Sequence, residues 1–82
     1  MAGSVRKRSV TIAGHATSLS LEEEFWHELR ILARRRGVSL NALVARVDAG
    51  RRGNLSSALR LLVLECYRSG ELQPEAGRVR HG

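Results

Sequence analysis

The chain has 82 residues, 43% hydrophobic and 27% charged, with three aromatics (Phe25, Trp26 and Tyr67) and a formal net charge of +6. This length holds one small domain, and the balance excludes wholesale disorder and fibrous or low-complexity repeats. A monomer of this size buries only about 60% of its unfolded surface, so a partner chain is expected to complete the core.

Thirteen of the fourteen basic residues are arginine, whose planar fork matches phosphate in two hydrogen bonds. With a pI near 11.3, the natural partner is a polyanion: nucleic acid first, an anionic membrane surface second. Cys66 is the single cysteine, so no intrachain disulfide framework exists and a reducing compartment is expected. No apolar run approaches the roughly 18 to 20 residues of a membrane span, and the N-terminus lacks a signal-peptide apolar region. A cytoplasmic location is the expectation.

Residues 1–8 carry Arg6, Lys7 and Arg8 with no acid and read as a disordered basic arm. From Ser9 to Leu21 the pattern has period two: Val10 and Ile12 alternate with Ser9 and Thr11, then Thr17, Leu19 and Leu21 with Ala16, Ser18 and Ser20. Gly14 with His15 separates the halves as a bend, bulge or turn. Ser20, three residues before Glu23, is placed to cap a first helix in a capping box. That helix carries an apolar stripe of Leu21, Phe25, Leu29 and Leu32, acids Glu22 to Glu24 at its start and arginines 34 to 36 at its end, and Gly37 as its stop.

Ser39 is placed to cap a second helix with Leu40, Leu43, Val44 and Val47 on one face. The segment from Asp48 to Gly53 breaks the pattern, and Asn54 or Ser56 caps a third helix running to about Arg68. Apolar nearly all round, this third helix is expected to be covered by a second subunit. The domain is thus 9–69, followed by a flexible tail at 70–82.

A strand, a helix of about sixteen residues, a Gly-x-Ser turn and a second helix resemble the ribbon-helix-helix family of DNA-binding proteins. The residues that carry the resemblance are Ala16-Thr17-Ser18-Leu19-Ser20-Leu21, the helix through Ala33, and Gly37-Val38-Ser39-Leu40-Asn41. The stretches from Gly14 to Glu22 with Phe25-Trp26, and from Asn54 to Arg60, look like a bacterial subgroup with an extra C-terminal helix. The resemblance spans roughly residues 6 to 68. It implies a mainly α fold with a short N-terminal β-ribbon, built as an intertwined homodimer. One strand from each chain pairs into an antiparallel ribbon that enters the major groove of double-stranded DNA, as in a transcriptional regulator or repressor.

With Leu19 and Leu21 in the core, the pleat sends Ala16, Ser18 and Ser20 toward the bases. His15 and Thr17 take that place if the register differs by one, and Ser9, Thr11 and Ala13 form an alternative outward face. Alanine and serine discriminate bases little. Phosphate contacts are expected from Arg6, Lys7 and Arg8, from Ser39 and Asn41 at the start of the second helix, and from Arg36 beside it. The alternative reading is a protein-interaction module of the same fold, an antitoxin or adaptor.

His15, His27, Cys66 and His81 lack metal-ligand spacing. Glu22 to Glu24 sit where a helix dipole favours acids, and no phosphate loop or catalytic triad is present. Neither a cofactor nor an enzymatic activity is expected.

Overall fold

The computed structural model describes residues 4–50 and 53–74. Residues 1–3 of the expected arm, Arg51 and Arg52, and residues 75–82 of the expected tail, with His81, lie outside the described residues. Strands β1 (Val5–Ile12) and β2 (His15–Glu22) precede helices α1 (Glu23–Arg36), α2 (Leu40–Gly50) and α3 (Leu55–Ser69).

The two strands pair antiparallel within one chain, from Val5 opposite Glu22 to Ile12 opposite His15. Within the single chain the ribbon is therefore a hairpin, where the resemblance implies one strand from each of two chains. Ala13 and Gly14 connect the strands with φ of 52° and 81°, and two successive positive φ angles are what a type I′ turn requires. Its backbone twist matches that of the strands it joins, so the chain folds back directly. The break thus falls at Ala13-Gly14, and His15 already belongs to β2.

Because β1 begins at Val5, residues 5–8 belong to the ribbon and not to a free arm. The reason lies in the pairing: Arg6 stands opposite Leu21 and Arg8 opposite Leu19. The Trp26 indole Nε1–H donates to the Arg6 carbonyl at 3.0 Å, which fixes this end of the hairpin on α1.

Strand character persists through Leu21 into Glu22, and α1 starts at Glu23 without a side-chain cap. The expected Ser20 to Glu23 capping box is absent because Ser20 is still extended and Leu21 packs from the strand. Glu23 N–H instead donates to the Ser4 carbonyl at 2.8 Å. At the other end Gly37 (φ 70°) takes the left-handed cap conformation, with Val38 N–H reaching back to the Ala33 carbonyl at 3.0 Å.

Ser39 caps α2, accepting from Ala42 N–H at 3.0 Å, and Asn54 caps α3, accepting from Ser57 N–H at 3.0 Å. The second helix runs to Gly50, past the expected break at Asp48. The core gathers Val10, Leu19 and Leu21 from the ribbon, Trp26, Leu29 and Leu32 from α1, Leu43 and Val44 from α2, and Leu55, Leu59, Val63 and Cys66 from α3. At about 25 cal/mol per Å² of apolar surface, such burial is the main favourable term in folding.

One face of α3 thus closes the core from within the same chain, while Leu61 (59% exposed) and Leu64 (45%) stay on its far side. The buried face of α3 is thus covered without a second subunit. Nor are residues 70–72 a flexible tail: Leu72 is 2% exposed, and its N–H donates to the Cys66 carbonyl at 3.0 Å. Leu72 supplies apolar area that a small core needs. The adjacent Glu71 closes a two-pronged ion pair with Arg36, Nε to Oε2 at 2.7 Å and Nη2 to Oε1 at 2.8 Å.

Candidate nucleic-acid interface

Opposed residues in an antiparallel pair point to the same side of the sheet. The register therefore divides the ribbon into two faces. Arg6 with Leu21, Arg8 with Leu19, Val10 with Thr17, and Ile12 with His15 turn toward the helices. Val5 with Glu22, Lys7 with Ser20, Ser9 with Ser18, and Thr11 with Ala16 turn away.

Lys7, Ser9, Thr11, Ala16, Ser18 and Ser20 are all exposed. The expected outward trio of β2 and the alternative outward pair Ser9 and Thr11 of β1 thus form one surface. Ala13 is in the turn, and the register places His15 and Thr17 on the opposite face. The contribution of Lys7 to this surface was missed in the sequence, although a signal was there. Extending the Val10 and Ile12 alternation backward assigns Lys7, Ser9 and Thr11 to a single side.

The three basic residues of residues 5–8 part company. Arg6 donates from Nε to Glu23 Oε1 at 2.6 Å, and the Arg8 guanidinium lies 5.6 Å from the centre of the Trp26 ring, within cation–π range. Lys7 lies on the outward face, and among the described residues it has no hydrogen-bond or ion-pair partner.

Each edge of the ribbon is held by the second residue of a helix. At the β1 edge, Asn41 of α2 grips the backbone of Thr11 twice, accepting from its N–H at 2.8 Å and donating to its carbonyl at 2.6 Å. At the β2 edge, the Ser56 hydroxyl of α3 donates to the Ser20 carbonyl at 3.1 Å. The Asn41 side chain is thereby occupied in fixing the strand. The starts of α2 and α3 accordingly flank the ribbon on its two sides.

Their electrostatics differ from those of α1. Glu23 and Glu24 offset the positive end of α1, whereas the first turns of α2 and α3 hold no acid, leaving the partial positive charge of their N–H groups uncompensated by their own helix. Arg34, Arg35 and Arg36 end α1 beside the turn that leads into α2.

Arg36 itself is engaged by Glu71, whose carboxyl it holds down at about 2 by donating hydrogen bonds to it. The same pairing raises the Arg36 guanidinium. Burial, joined by the neighbouring Glu71 carboxylate, pushes the Cys66 thiol up, so this cysteine stays protonated at neutral pH. Beside the β2 edge, Arg60 pairs with Glu22 at 2.9 Å and lowers its carboxyl.

Among the described residues no group of three or more His, Cys, Asp or Glu side chains is placed to hold a metal ion, and no helix is long and apolar enough to cross a membrane.

Residues 5–67 match the family model described as a ribbon-helix-helix domain. Among solved structures, the chain is similar to an uncharacterized protein from Bordetella pertussis Tohama I, with 32% sequence identity and a TM-score of 0.68. The match covers 89% of this chain and 66% of that one, so the chain spans just under two thirds of that protein's length. No protein with a curated description matches.

Proposed function

Because the chain belongs to the ribbon-helix-helix family, a fold of DNA-binding regulators, we propose that it is a sequence-specific transcriptional regulator that inserts its ribbon into the major groove of double-stranded DNA. The observation that carries the reading is the outward ribbon face. It combines exposed small polar side chains with one lysine and no unpaired acid, since Glu22 at its open end is bound to Arg60. A two-stranded ribbon fits a groove about 12 Å wide, where all four base pairs are distinguishable.

In this reading Ser18 and Ser20 meet base edges as donors or acceptors, and Ala16 and Thr11 offer methyl groups to thymine. Phosphates are held by the first-turn N–H groups of α2 around Ser39 to Asn41 and by Arg34 and Arg35. Arg36 joins them only by leaving Glu71, while Arg6 and Arg8 brace the ribbon from behind. In this reading each chain of a homodimer carries its own two-stranded ribbon.

The test replaces Ser18, at the centre of the face, with glutamate. Ser18→Glu is expected to keep the folded far-UV circular dichroism spectrum and to lose duplex binding in an anisotropy titration, because its carboxylate would meet the phosphate-lined groove. Undiminished affinity would sink the ribbon assignment. A second reading, a protein-interaction module, is favoured by Leu61 and Leu64 on α3, spaced so that both face solvent. It is distinguished by a wild-type chain that binds no duplex in the same titration and by Leu61→Asp, which would then cost binding of the protein partner.

A further inference from the structure

We infer that Lys7 is the residue that sets base preference, its ammonium donating to O6 and N7 of a guanine in the major groove. The inference rests on the ribbon insertion proposed above and goes beyond it by naming the reader and the base.

Three observations lead there. First, the pairing of β1 with β2 inside one chain makes the outward face asymmetric, with Lys7, Ser9 and Thr11 on one strand and Ala16, Ser18 and Ser20 on the other. A face built from two copies of β2 would offer only alanine and serine besides Glu22, which is bound to Arg60. β1 therefore brings the one cationic side chain to this surface, in the pair next to Ser9 and Ser18 at its middle, and Lys7 is also the chain's one lysine.

Second, the neighbours of Lys7 across the ribbon and toward the turn, Ser20 and Ser9, are short and exposed, while Val5 and the Arg60-bound Glu22 stand on its other side. The ribbon surface is consequently low from Lys7 toward the turn, and its four-carbon stem is the part that reaches farthest over that stretch toward a groove floor. Third, the arginines on either side are spent internally, Arg6 on Glu23 and Arg8 on Trp26, while Lys7 has no such partner among the described residues. Guanine presents two acceptors, N7 and O6, on its major-groove edge, which matches a group with three donors and no acceptor.

A base contact and a phosphate contact by the same lysine leave different signatures. The experiment selects bound fragments from random duplexes with the full chain, then titrates selected and scrambled duplexes by anisotropy at several salt concentrations. The wild-type chain is expected to enrich a guanine at a fixed position. Lys7→Ala is expected to lose that enrichment and to bind the selected duplex roughly tenfold more weakly, with a smaller loss on the scrambled one. Lys7→Arg, which offers the same edge a two-donor fork, is expected to retain the guanine.

Equal weakening of both duplexes by Lys7→Ala, with a salt slope shallower by about one, would make Lys7 a phosphate ligand. That outcome overturns the inference and leaves groove insertion standing. A selection that enriches no guanine overturns it too, and a wild-type chain that binds no duplex overturns both.

Discussion

The two faces of the ribbon are made from the same pair of strands, yet they do opposite work. On the inner face two arginines serve the fold: Arg6 ties β1 to Glu23 and Arg8 covers the Trp26 ring. On the outer face Lys7, one residue away from each, has no intramolecular partner among the described residues. The period of two in a strand makes the difference, since neighbouring charges point to opposite sides. A basic run can therefore be part brace and part contact surface. The same division recurs at the end of α1, where Arg36 is held in a two-pronged ion pair by Glu71 and Arg34 is not.

The contrast is broken most severely from the inner side. Leu21 is fully buried beneath the ribbon, and Leu21→Ala is expected to cost about 2 to 5 kcal/mol through lost transfer energy and a residual cavity. Ser18→Ala on the outer face should leave the urea midpoint where it was. A comparable midpoint shift in the two variants would contradict the assignment of faces.

Acid should loosen the internally paired arginine next. The Glu71 carboxyl is lowered from 4.5 to about 2 by Arg36. A lowered carboxyl contributes stability that is complete above its unfolded value and is lost as pH falls from about 4.5 toward 2. Glu71→Gln should remove this part of the acid dependence and flatten a thermal midpoint profile over that window. An unchanged profile would show that the Arg36 contact does not hold residues 70–72 in place.

The smallest expected effect is at the turn that joins the faces. Ala13 is a non-glycine residue with φ of 52°, a conformation that costs L residues roughly 1 to 2 kcal/mol. Asparagine tolerates it, and Ala13→Asn creates the Asn-Gly pair favoured in type I′ turns. The variant should be more stable by roughly 0.5 to 1 kcal/mol with the register unchanged, which a denaturant titration can resolve. A loss of stability would mean that Ala13 is held by something other than the hairpin turn.

Much of the architecture was legible in the chain's local signals. The three helices, the Gly37 stop, the Ser39 cap and the outward placement of Ala16, Ser18 and Ser20 follow from them, because caps and periodicity act over four residues or fewer. The errors all involve long-range contacts. Charged residues at 6 to 8 mask a strand that exists because Leu19 and Leu21 lie opposite it. The Ser20 capping signature loses to burial of Leu21 from the strand. Leu72, in a segment rich in glycine with a proline, finds its place only through distant partners, its N–H on the Cys66 carbonyl and the adjacent Glu71 on Arg36.

The sequence by itself determined the kinds of element, their order, a strongly basic surface and the likeness to a DNA-binding family, since composition, spacing and capping are properties of neighbouring residues. Only the tertiary structure decided which strand completes the ribbon, that α3 closes the core of its own chain, and that Lys7 alone of the first three basic residues faces outward. Those outcomes depend on which distant surfaces bury each other, and hydrophobic burial is non-directional until the chain has folded back on itself.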